Sequence, residues 1–212
     1  MDTDIVSDGN HIYKGGGMKG ILFAVSMMLS AASFAADGPF GLAAGMTREQ
    51  IMAAVGAGGI YSIEGTEIIL LEPPQPHPQF NSYHLTVSPK SGLVRVTAFT
   101  KPIRESGYAT ETRSRYDALK AALTEKYGRP IEDLDLVMPD SIWRDGQHYL
   151  ESIAFGDRLV KVAWTPNERG IAGVILRTIA YDRLNGGVTI DYRLDGYVEY
   201  EAQKKAVDGG AL

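Results

Sequence analysis

Apolar positions along this chain change period several times, and each period predicts a different element. Arg48 to Val55 carries a short helical pattern announced by Gly45-Met46-Thr47. Thr47 is placed to cap that helix and Gln50 to complete a capping box, while Met46 and Ile51 occupy the two positions of a hydrophobic staple. Gly56 supplies a stop. Tyr116, Leu119, Leu123 and Tyr127 repeat at helical spacing and predict a longer helix over 111–127, ended by Gly128 and Pro130. Its apolar stripe is expected to pack on a sheet.

Elsewhere the period falls to two. Glu67 to Leu71 reads as a short strand that stops at Glu72-Pro73-Pro74-Gln75-Pro76-His77-Pro78, because repeated prolines cannot occupy a central ladder position. Tyr83, Leu85 and Val87 alternate with His84, Thr86 and Ser88, and Leu93 to Phe99 continues after Pro89-Lys90-Ser91-Gly92, the pattern of an antiparallel hairpin. Val160, Val162 and Trp164 mark another strand, Val174 to Tyr181 a second, and Val188 to Leu194 a third after a turn at Asn185-Gly186-Gly187. Ile131 to Asp140 reads as an acidic irregular stretch. Tyr149 to Phe155 fits a helix or a strand, and the polar tail from Tyr197 reads as a frayed helix with a loose end at 209–212.

The order is helix, strands, helix, strands. It predicts an α+β fold with antiparallel sheet and two main helices on one sheet face. Two helix-plus-three-strand units, with halves at 39–109 and 110–195, and a single continuous sheet are both compatible with this order.

The segment Met18 to Ala36 follows a different logic: one lysine, an apolar run of about a dozen residues, then small residues ending in Ser33-Phe34-Ala35. This is the pattern of a secretory signal peptide over 18–35, with cleavage expected after Ala35. A spanning helix needs about 20 predominantly apolar residues, and this run is shorter and already holds three serines. Residues 1–17 carry Asp2, Asp4 and Asp8 against Lys14, which does not suit a basic signal start, so they read as an extraneous leader. The mature chain is then expected to occupy 36–208 as one domain, periplasmic or secreted, with no integral membrane segment after cleavage.

Composition narrows the partners. Removing the first 35 residues leaves 177, with 19 basic and 23 acidic side chains. This mild acidity provides no footprint for nucleic acid or an anionic surface. The chain has no cysteine, so no disulfide and no lipid-bearing cysteine are available, and the hydrophobic core must supply the stability.

Pro39-Phe40-Gly41-Leu42, Gly45-Met46-Thr47 and Gly56, followed by Gly92-Leu93, Tyr127-Gly128-Arg129-Pro130, Trp143 and Trp164, resemble a pattern in a group of exported bacterial proteins; that likeness implies no activity. The helix-then-hairpin units are more loosely similar to β-lactamase-inhibitor-like modules and outer-membrane-assembly lipoprotein modules. This second resemblance implies a non-catalytic binding role, and it departs from the latter group in lacking the lipid-bearing cysteine.

Candidate chemistry is sparse. His77, His84 and His148 have no neighbour at metal-ligand spacing, and Glu132, Asp133, Asp135 and Asp140 do not match a calcium loop. Neither a metal nor another cofactor is expected. Ser82 and His84 lie two apart on one strand and share a face, the one pairing that suggests a hydrolase. Dispersed carboxylates remain a second route to the same chemistry. Trp143 and Trp164 are expected in the core. The proline loop, through Pro73, Pro74, Pro76, His77 and Phe80, is the favoured partner-binding surface, since a preformed extended segment loses little entropy on docking. The leading expectation is therefore an exported non-enzymatic binding protein with an envelope protein as partner, and the alternative is an envelope hydrolase.

Overall fold

The computed structural model describes residues 38–209, so the leader, signal and cleavage expectations, and the tip of the tail, lie outside the described residues. The described chain is α+β. It begins with α1 (Arg48–Val55) and four strands: β1 (Ile60–Glu64), β2 (Glu67–Leu70), β3 (Phe80–Ser88) and β4 (Gly92–Thr100). After the two-residue β5 (Ile103–Arg104) come α2 (Thr110–Tyr127), β6 (Glu132–Val137), α3 (Tyr149–Ala154), β7 (Arg158–Trp164), β8 (Ile171–Ala180), β9 (Asn185–Leu194) and α4 (Tyr197–Gly209). All strands join one antiparallel sheet in the order β1-β2-β3-β4-β9-β8-β7-β6, with β5 beside β9. A helix followed by a four-stranded meander thus occurs twice, and the two meanders meet at β4 and β9.

The helix boundaries follow from local chemistry. Thr47 Oγ1 accepts from Gln50 N at 3.3 Å while Gln50 Oε1 accepts from Thr47 N at 2.8 Å, the reciprocal capping box. Met46 and Ile51 are both buried beneath it. At α2 the cap comes from outside the helix: the Glu105 carboxylate accepts from Glu111 N at 2.8 Å and from Thr112 N, and Thr112 Oγ1 also donates to it. A carboxylate at this end satisfies free N–H groups and complements the helix dipole. It also offsets the left-handed conformation of Ala109 (φ 55°), which a non-glycine residue adopts only at a cost.

Alternation along the strands sorts side chains onto two faces. Tyr83, Leu85, Val96, Ala98, Ile190, Tyr192, Val174, Leu176, Val162 and Trp164 form one continuous core with Ile51 of α1, Tyr116, Leu119 and Leu123 of α2, and Tyr149 and Leu150 of α3. The Trp164 indole donates to Gly128 O at 3.1 Å, tying the helix stop of α2 to β7. On the opposite face stand Arg95, Thr97, Phe99, Asp191 and Arg193, with Tyr197 of α4 beneath the two arginines.

Several details correct the sequence reading. Each meander has one more strand than expected, the two edge strands β1 and β6. The stretch expected to be irregular is the ordered strand β6, which pairs with β7 in register from Glu132↔Ala163 to Val137↔Arg158. Its carboxylates are matched from elsewhere: Glu132 by Lys161 at 2.6 Å, Asp133 by Lys120 at 2.6 Å and Asp135 by Arg158 at 2.7 Å. Asn185-Gly186-Gly187 belongs to β9 and the reversal occurs at 181–184. Residues 149–154 are helical, and no helix among the described residues is long and apolar enough to cross a membrane.

Candidate functional site

The proline loop runs from the end of β2 to the start of β3 and is pinned along its length. Pro73 and Phe80 are buried, whereas Pro74, Gln75, Pro76, His77 and Pro78 are exposed. Gln75 N donates to Phe40 O at 3.0 Å, and His77 N donates to the Tyr83 hydroxyl at 3.0 Å. Phe40 reaches this position through a left-handed backbone (φ 59°) and packs edge-on against Phe80, Tyr83 and Tyr192. Burial pushes the Tyr83 phenol above its ordinary pKa, with the bond to His77 opposing, so the hydroxyl stays protonated as both acceptor and donor. Of the five residues expected at the partner surface, Pro74, Pro76 and His77 face outward; Pro73 and Phe80 anchor the loop to the core.

Ser82 and His84 do share a face, as their spacing predicts. His84 stands between Ile69 of β2 and Thr97 of β4, its ring 4.5 Å from that of Phe99. Burial holds its pKa below the ordinary imidazole value, with the charge of Glu67 opposing. The carboxylates on this face are engaged elsewhere. Asp191 accepts from Arg95 Nε at 2.7 Å, Arg95 Nη2 at 3.0 Å and Thr97 Oγ1 at 3.1 Å, and Glu67 accepts from Thr86 Oγ1 at 3.3 Å. Two strand spacings, about 10 Å, separate the β3 and β9 backbones. A Ser/His relay needs an acid bonded to the imidazole, and among the described residues His84 has no carboxylate hydrogen-bonded to it.

A cleft of about 490 Å³ lies at the start of α1, between Gly65-Thr66 and Pro89-Lys90-Ser91. Arg48 donates to the Gly65 carbonyl across it, and the Glu49 carboxylate accepts from its own backbone N–H and the Thr47 hydroxyl, which holds its pKa below the ordinary carboxylate value. Among the described residues no group of three or more His, Asp or Glu side chains gathers to hold a metal ion.

The two tryptophans, both expected in the core, part company. Trp164 is 2% exposed and belongs to the core, but Trp143 is only half-buried. It lies between α3 and the end of β6, stacked on Phe155 at 5.7 Å and 11° and flanked by His148 at 5.1 Å. Arg183, at the reversal before β9, covers Phe155 at 5.1 Å. His148 Nδ1 lies 2.6 Å from Asp145 Oδ1, an exposed pair that orients the imidazole beside the tryptophan. The polar run Asp140, Arg144, Asp145, Gly146 and Gln147 around Trp143 was the signal that it lies at the surface.

Comparison of the chain with protein-family models, with curated proteins and with solved structures returned no match.

Proposed function

We propose that the protein is an exported, non-catalytic binding protein of the cell envelope that engages a protein partner through the outward residues of the proline loop. The observation that carries this reading is the loop's double character: Pro74, Gln75, Pro76, His77 and Pro78 are exposed, while Pro73, Phe80 and the bonds to Phe40 and Tyr83 fix the backbone beneath them. Ordering a free backbone residue costs roughly 1 kcal/mol or more. A loop already held in place avoids that cost when a partner docks. Proline also leaves backbone carbonyls exposed without competing N–H donors, the chemistry that an aromatic-lined groove recognises in extended proline segments.

Export is supported by the residue pattern of 18–35, and the non-catalytic role by the commitment of Asp191 and Glu67 to Arg95 and Thr86. The test replaces 74–78 with a Gly/Ser segment of equal length and leaves Pro73 and Phe80 in place. A crosslinked partner recovered from the envelope by the parent and lost at least about tenfold by the variant, with an unchanged melting temperature, is the expected result. Equal recovery by both chains would contradict it.

A further inference from the structure

The cleft of about 490 Å³ at the start of α1 lies at the other end of the first meander from the proline loop, since β3 leaves that loop and ends at the cleft. Three segments wall it, and each is tied to the next. Gly45 N donates to Leu93 O at 2.9 Å and Leu93 N to Met46 O at 2.8 Å, which joins the start of α1 to the β3–β4 hairpin. Val87 N donates to Thr66 O at 2.7 Å and joins the β1–β2 turn to β3, while Arg48 closes the third side on the Gly65 carbonyl. Gly92 (φ 68°) lets the hairpin approach this closely, because a Cβ there would run into the Gly45 carbonyl. Backbone bonds thus fix the shape of the cavity, and its volume falls within the roughly 300–1,000 Å³ of small-molecule sites.

Its walls offer cations and a free hydroxyl. Lys90 is exposed at the hairpin turn, and among the described residues its ammonium enters no ion pair. Arg48 uses one nitrogen on Gly65 and keeps the other donors of its guanidinium. Ser88 is 3% exposed; its Oγ accepts from Lys90 N and Ser91 N, both at 3.2 Å, and its own proton has no acceptor among the described residues. A buried donor of this kind calls for a partner. Glu49 is the one carboxylate in the lining, and Val87 and Pro89 add apolar surface.

Two cations against one carboxylate leave an excess of positive charge, which selects a ligand with an anionic group. The Ser88 proton and the Glu49 oxygens then need groups that accept and donate, and a hydroxyl does both. We propose that the cleft binds a small acidic sugar, its carboxylate or phosphate paired with Lys90 and Arg48 and its hydroxyls meeting Ser88 and Glu49. This site is separate from the proline loop, and the two readings stand or fall independently.

The test titrates the isotope-labelled full chain with glucuronate, glucose-6-phosphate, glucose and inorganic phosphate and follows backbone amide shifts. At least one acidic sugar is expected to shift Thr66, Ser88 and Ser91 with a Kd below about 5 mM and to leave Gln75 and His77 of the proline loop unmoved. Whichever acidic sugar binds more tightly distinguishes a phosphate from a carboxylate as the anionic group. Glucose and inorganic phosphate, each with half of the chemistry, are expected to bind at least about tenfold more weakly. Lys90→Ala is expected to weaken the acidic sugar by about tenfold or more with unchanged circular dichroism, whereas Lys101→Ala, an exposed lysine past the far end of β4, binds like the parent. The proposal is overturned if neither acidic sugar binds below about 5 mM, if Lys90→Ala binds like the parent, or if inorganic phosphate binds as tightly as the sugars, which would mark an adventitious ion only.

Discussion

Arg95 of β4 closes a two-pronged ion pair on Asp191 of β9, Nε at 2.7 Å and Nη2 at 3.0 Å, across the seam where the two meanders join. Asp191 is only 5% exposed and also accepts from Thr97. Removing Arg95 therefore strands a desolvated carboxylate, whereas removing Asp191 leaves an arginine side chain that is 35% exposed and can turn toward water. Arg95→Ala is expected to cost roughly 2 kcal/mol, less than a fully buried pair, since Arg193 stays 3.9 Å from the same carboxylate. Adding Asp191→Ala to Arg95→Ala is expected to recover part of that loss in urea unfolding. A further loss would show that the pair is not the relevant unit.

Gly186 sits where β9 passes close beneath α2 and α3. A Cβ there would enter the space of Thr112 Oγ1 on α2 and Leu150 Cδ2 on α3. Thr112 is held in place by Glu105, so it cannot readily withdraw. Gly186→Ala is expected to destabilise by about 1–3 kcal/mol through overpacking, read as a fall in melting temperature. Gly58→Ala, where nothing stands within 4 Å of the added carbon, serves as the comparison. Equal melting temperatures for the two variants would count against this packing.

His84 supplies a pH dependence whose sign is fixed by burial. Its folded pKa lies below the unfolded value near 6.5, so the unfolded chain takes up the proton first as pH falls. Stability is full above the unfolded pKa and declines as pH drops from there through the lower folded pKa. His84→Gln is expected to flatten the dependence of unfolding free energy on pH between about 7 and 5. The same slope in parent and variant would assign that dependence to other groups.

Local rules were readable where a few neighbouring residues decide the outcome. Thr47, Gln50, Met46 and Ile51 specify the start of α1 without help from the rest of the chain, and the Tyr116-Leu119-Leu123 stripe does the same for α2. The strand β6 escaped because Glu132, Asp133 and Asp135 suppress its apolar pattern, and their neutralising partners arrive from α2 and β7. The polar run from Arg144 to Gln147 marks the surroundings of Trp143 as surface, but its stacking partner Phe155 arrives from beyond α3 and is not given by that run. The proline loop was readable as a loop, yet the division between buried Pro73 and Phe80 and exposed Pro74, Pro76 and His77 depends on Phe40, which reaches under it from more than thirty residues away. Gly186 read as a turn residue and proved to be a packing requirement.

The most direct test of the binding account places a photo-crosslinking side chain at position 77 and, separately, at position 199, an exposed residue of α4. Irradiation in living cells, followed by mass analysis, is expected to yield one discrete protein adduct from position 77 that is missing from position 199. Adducts that are the same at both positions, or none at position 77, would contradict the assignment of partner recognition to the proline loop.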